Sequence, residues 1–159
     1  MAIMNIRTIP DEILRKVCEP VKEIGRQEKK LFDDMVETMI QKGGVGLAAS
    51  QVGESCQIFV VGLENEFYKI ANPKIVEFFG TEVMQEGCLS VPEVVRDMER
   101  FYGVIIKGLN ENGEQVEMKA TGFLARIFQH EIDHLNGKLI IDYSSQFFRP
   151  GNENEERLL

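Results

Sequence analysis

The chain has 159 residues and a formal charge of −8, from 18 basic and 26 acidic side chains. That length can bury one core without disulfides, so residues 1–159 read as a single domain, and the acidic balance argues against nucleic acid as a primary partner, because phosphate binding needs concentrated positive charge. Cys18, Cys56 and Cys88 are odd in number and unclustered, which argues against a disulfide framework and for a reducing cytoplasm. The opening Met-Ala-Ile-Met-Asn-Ile-Arg lacks the basic and apolar regions of a leader, and no apolar run nears the ~20 residues that span a bilayer, so no membrane contact is expected.

Residues 6–17 read as an extended arm turning into a short helix, with Thr8 or Asp11 as caps around Pro10. Over 27–42, Leu31, Phe32, Met35, Val36, Met39 and Ile40 recur at helical period, which predicts an amphipathic helix stopped by Gly43-Gly44; its methionine-rich stripe reads as core. Gly44-Val-Gly-Leu-Ala-Ala-Ser-Gln51 follows. It lacks the Lys-Ser/Thr of a P-loop and the G-x-G-x-x-G order, leaving a tight turn or a close backbone approach to some other ligand. Residues 57–62, 68–71 and 74–79 read as strands, with Asn72-Pro73 and Gly80 as breaks. Strand-like 82–85 leads into Glu86-Gly-Cys-Leu-Ser90 and an extended Val91-Pro92, and 102–109 with 115–120 form a hairpin across Asn110-Glu-Asn-Gly113. Beyond the last predicted helix, 138–143 reads as a strand, and the polar tail from about 144 as mobile. With no repeat or linker, the pattern is α+β, with antiparallel strands packed around a central metal-binding helix.

That helix carries Gln129-His-Glu-Ile-Asp-His134, which holds both histidines of the chain. Residues four apart share a helix face, so His130 and His134 can offer two imidazoles to one metal, with Glu131 beside them as a general base. Thr121 is placed to cap the helix, Leu124, Ile127, Phe128, Ile132 and Leu135 supply its apolar period, and Gly137 can end it. The alternative is a solvated face with two ordinary histidines, and a third ligand decides between them. A metzincin continuation would need a histidine where Ile140 stands, and little chain remains for a thermolysin-like glutamate. Cys88 is the remaining candidate. It follows a glycine that lets the backbone turn, and Cys-His-His completes a three-ligand site with an open position; taken alone, the cysteine would read as an inert core residue.

Residues 44–51, 86–90 and 129–134, in that order, resemble the three signature motifs of the peptide deformylases, and the resemblance covers nearly the whole chain, from Ile9-Pro-Asp-Glu-Ile-Leu-Arg-Lys to Leu139-Ile-Ile-Asp142. It implies removal of the formyl group from N-formylmethionyl peptides at the start of nascent chains, by a single divalent metal on Cys88, His130 and His134. Iron(II) would be the native ion, with zinc, nickel or cobalt able to replace it. Glu131 would be the acid and base, and the Gln51 side chain and Leu89 N–H would polarise the formyl oxygen. Gly44, Val45, Gly46, Glu86 and Arg100 would border the substrate, and Phe123 and Ile127 would line the methionine pocket. Two departures stand out. Ser50 replaces a residue that is often proline or threonine, and Met98-Glu99-Arg100 keeps the basic residue of a usual Pro-Arg pair without the proline. The short tail bears on any transient ribosome contact made through a long final helix. A metal-dependent amidase or peptidase of other specificity, and a catalytically silent metal-binding domain, are the competing readings; the intact Glu131 and Gln51 argue against the second.

Overall fold

The computed structural model describes residues 2–143, the backbone of 148–150, and residue 159. After a 3-10 turn at Glu12–Arg15 come helix α1 (Arg26–Gln41) and strands β1 (Gly46–Ala48), β2 (Ile58–Leu63) and β3 (Glu66–Phe79). Strands β4 (Glu82–Cys88), β5 (Val91–Arg100), β6 (Gly103–Leu109) and β7 (Gln115–Thr121) lead to helix α2 (Gly122–Leu135), a 3-10 turn at Ile140–Asp142, and strand β8 (Phe148–Pro150). The strands form a five-stranded sheet, β1-β2-β3-β6-β7, and a three-stranded sheet, β4-β5-β8. Every pairing between these strands is antiparallel. This is the expected α+β arrangement around the motif-bearing helix.

Strand β2 explains the layering. Successive side chains on a strand point to opposite faces, and here both faces are covered. Ile58 and Val60 pack with Phe32, Met35 and Met39 of α1, while Phe59 and Val61 pack with Ala125, Ile127 and Phe128 of α2. All of these are buried at 1% exposure or less, so each large side chain contributes about 1.5–3 kcal/mol to holding a helix on the sheet. The predicted methionine stripe is core. The smaller sheet has a separate core, in which Cys88, Val91 and Met98 pack with Leu14, Leu139 and Ile140.

Three expectations change. Asn72-Pro73 does not end a strand; β3 runs through it with register shifts between Ala71 and Lys74 and between Ile75 and Glu77. A bulge tolerates the missing proline N–H, and the Asn72 side chain bonds both backbone groups of Val21, each at 2.8 Å. Residues 138–143 are not a strand. Ile140–Asp142 is a 3-10 turn whose Asp142 side chain accepts from the Leu139 N–H at 2.8 Å, and Leu139 and Ile140 are drawn into the small core. The extended stretch at Val91-Pro92 continues to Arg100 as β5. The tail expected to be mobile lies largely outside the described residues; within it, Phe148–Pro150 pair with β5 and Leu159 is buried. Among the described residues no helix is long and apolar enough to cross a membrane.

Candidate metal centre

Helix α2 starts at Thr121, the N-cap residue by position but without a side-chain capping bond, and ends where Gly137 takes a φ of 73°. A Cβ on Gly137 would fall 2.5 Å from the Arg15 carbonyl oxygen, so only glycine lets the chain leave the helix here. On the inner face His130 and His134 stand 4.9 Å apart between ring centroids. The end of β4 brings Cys88 to them, and the three are 1–2% exposed.

Their donor atoms converge, all lying within 4.8 Å of one another. Cys88 Sγ is 3.3 Å from His134 Nε2, which is 3.2 Å from His130 Nε2. Metal–sulfur and metal–nitrogen bonds of ~2.3 and ~2.0–2.1 Å in a tetrahedron place such atoms about 3.6 and about 3.3 Å apart, close to these two separations, so the set fits one transition-metal ion. Burial pushes the Cys88 thiol up to about 12, and the negative Glu131 and Glu86 add to the rise. Burial also lowers His134 well below the usual histidine range, with positive His130 adding to it, which favours the neutral ring that ligates metals.

Behind His130 lies a charged cluster. Its Nδ1 is 2.9 Å from Glu86 Oε1, a partner that leaves Nε2 to face His134 Nε2. Glu86 also accepts two hydrogen bonds from Arg100, each 2.9 Å, and one from Arg126 at 2.6 Å. Arg100 reaches Asp133 at 2.6 Å, and Tyr143 donates to the same Asp133 oxygen. Burial alone would raise the Glu86 carboxyl, but the hydrogen bonds and charges of Arg100 and His130 outweigh it and hold the group far below the usual carboxylate range.

Glu131 is the exception to this pairing. It is fully buried, yet among the described residues neither carboxylate oxygen has a hydrogen-bond partner. Burial, with negative Glu86 adding to it, raises its carboxyl well above the usual range. A buried, unpartnered carboxylate is costly, and such groups cluster where proton transfer is needed. Gly46 of β1 makes room for it: a Cβ there would lie 2.4 Å from Glu131 Oε2 and 2.8 Å from Ile127 Cγ2. Gln51 is also buried. Its Oε1 accepts from the Ala48 N–H at 2.9 Å, which aims its Nε2 at Ser90 Oγ, 3.1 Å away, and at Cys88 Sγ, 3.7 Å away.

The structure thus brings Gly46, Gln51, Cys88, His130, Glu131 and His134 together, with Val45 and Phe123 packed against the cluster that contains Ile127. Arg100 and Glu86, expected to border the substrate, are 7% and 1% exposed and bonded to each other behind His130. Their charges satisfy one another there. Sequence reasoning missed Arg126. It is 2% exposed and donates to Glu86, to the Met98 carbonyl and to the Glu82 carbonyl. Its position four residues before His130, within the apolar first half of α2, was the available signal.

A family model described as "Polypeptide deformylase" matches residues 3–149. The chain belongs to the polypeptide deformylase family. It is 51% identical over 144 residues to a peptide deformylase of Halothermothrix orenii, covering 89% of this chain and 94% of that one. It is 44% identical to one of Thermodesulfovibrio yellowstonii, covering 94% and 93%. Among solved structures, the Thermotoga maritima peptide deformylase superposes with a TM-score of 0.88 at 45% identity, over 91% of this chain and 99% of that one. The Ehrlichia chaffeensis enzyme in complex with actinonin gives 0.89 at 39% identity, over 92% and 91%. Membership of the deformylase family makes the Cys88, His130 and His134 cluster a candidate for the metal that such hydrolases require.

Proposed function

We propose that residues 1–159 act as one catalytic domain that hydrolyses the formyl amide of N-formylmethionyl peptides, releasing formate and a free amine. The observation that carries this reading is the fully buried Glu131 carboxylate, unpartnered at both oxygens among the described residues, next to the converged Cys88, His130 and His134 donors. A divalent cation bound by those three ligands supplies a Lewis-acid position that brings the pKa of water toward ~7 and favours the thiolate form of Cys88. Iron(II) is the proposed native ion; a thiolate with two imidazoles equally suits zinc, nickel or cobalt.

Glu131 takes the proton from the attacking water and returns it to the amine nitrogen as the C–N bond breaks, so one group serves as base and then acid. As negative charge builds on the formyl oxygen, the Gln51 amide and the Leu89 N–H donate to it, and losing one such donor typically costs ~10²–10³-fold in rate. Val45, Phe123 and Ile127 take the methionine side chain. Gly44 and Gly46 let the peptide backbone lie close to β1, and Gly46 also leaves Glu131 its space. Glu86 positions His130 and is itself held by Arg100 and Arg126. The substrate class places the protein in the cytoplasm near nascent chains, with any ribosome contact transient.

The test is formate release by anaerobically purified, metal-loaded protein offered formyl-Met and acetyl-Met peptides in parallel. Release of formate with little or no acetate supports the reading, and equal turnover of both would redirect it to a general amidase.

A further inference from the structure

Leu159 is 1% exposed and belongs to the cluster that contains Ile127, against which Val45 and Phe123 pack. Its backbone makes two hydrogen bonds that straddle Cys88. The Leu159 N–H donates to the Gly87 carbonyl at 3.2 Å, and the Leu159 carbonyl accepts from the Leu89 N–H at 3.2 Å. That N–H is the donor assigned above to the formyl oxygen, and Val45, Phe123 and Ile127 are the pocket assigned to methionine. Leucine and methionine are near-equal in volume and exchange readily in apolar sites. A single N–H and a single pocket cannot serve both chains at once.

We propose that Leu159 is a built-in competitor, seated where the first residue of the substrate goes, so that a formyl peptide must displace it to react. The proposal rests on the deformylase reading. Its geometry is feasible within one chain. Val95 pairs with both Gly87 and Arg149, which puts Arg149 two strand spacings, about 10 Å, from Gly87. The ten positions from Arg149 to Leu159 reach up to ~33 Å. A ligand tethered at that range has an effective concentration on the order of millimolar, so weak contacts are enough to seat it. When the open form is only a fraction of the population, apparent substrate affinity falls by that fraction.

The test uses the zinc-loaded protein of residues 1–159 with Leu159→Asp and Leu159→Met, reading the exchange rate of the Leu89 amide by NMR alongside steady-state kinetics on formyl-Met-Ala-Ser. The aspartate variant, whose charge does not fit an apolar pocket, should exchange the Leu89 amide at least tenfold faster. Its KM should fall at least threefold, with kcat within twofold of the parent. The methionine variant should match the parent in both readouts. Unchanged Leu89 exchange in Leu159→Asp would overturn the proposal, as would faster exchange with an unchanged KM. Absence of formate release from every form would instead sink the deformylase reading, while amide exchange would still report whether Leu159 is seated.

Discussion

Glu131 and His134 share one buried turn of α2 but are unlike in what surrounds them. His134 Nε2 lies 3.3 Å from Cys88 Sγ, whereas among the described residues the Glu131 oxygens have no hydrogen-bond partner. One residue holds the ion in every state, and the other moves a proton only as the reaction proceeds. Glu131→Gln keeps the shape of the side chain but cannot accept a proton. Metal should stay near one per chain by elemental analysis, formyl-peptide binding should persist, and turnover should fall by ~10²–10⁴-fold. His134→Ala removes one of three ligands and should lose the metal. Near-normal turnover by metal-loaded Glu131→Gln would show that another group takes the water's proton.

At the scale of elements, the Glu86 cluster joins β4 and β5 to α2. Glu86 lies on β4, Arg100 on β5, and Arg126 and His130 on α2. The folded state holds the Glu86 carboxyl below its ordinary value, whereas the unfolded chain binds a proton there near pH ~4.3. The unfolded state therefore takes up more protons in acid, so this contribution is present above pH ~4.3 and is lost as pH falls from about 5. In metal-free protein, denaturant unfolding should show stability dropping between pH 5 and 3. Glu86→Gln should flatten that drop while costing about 3–5 kcal/mol at pH 7, because Arg100 and Arg126 are left with a neutral partner. A variant that kept the parental acid slope would place the titrating group elsewhere.

How far these elements were legible depends on how local their causes are. Helices α1 and α2 and the two histidines follow from period, turn residues and a spacing of four, all read within a short window, whereas Cys88 lies far along the chain from them and reads as a ligand only beside the pair. Strand β5 was seen only at its start, because its pairing with β4 and β8 is a long-range property. Asn72-Pro73 looked like a break because proline removes a ladder bond, and only the tertiary contact of Asn72 with Val21 shows it as a bulge. The partners of Glu86 come from two other elements, β5 and α2, so its place behind His130 was invisible to motif reading.

Across the whole molecule, the two sheets are tied together by chemistry more than by shared apolar packing. Cys88 packs in the small core with Leu14, Val91 and Met98, while the faces of α1 and α2 pack on the larger sheet. Among the described residues, the small sheet meets α2 through Glu86, Arg100 and Arg126, and through the convergence of Cys88 on the two histidines. An ion bound there bridges the end of β4 to α2, and because it binds the folded state alone it stabilises by RT ln(1 + [M]/Kd), about 2.7 kcal/mol at a hundredfold excess over Kd. At about 2–4 °C per kcal/mol for a domain of this size, removing the metal should lower Tm by roughly 5–11 °C. The fold should persist, with unchanged far-ultraviolet circular dichroism, because the helix–sheet cores do not use the ion. Cys88→Ser should abolish most of the metal-dependent gain while leaving the Tm of the metal-free protein near that of the parent. A chelated protein that melts where the loaded one does, with metal loss verified, would mean that the ion bridges nothing, and that the Glu86 cluster alone carries the junction between β4 and α2.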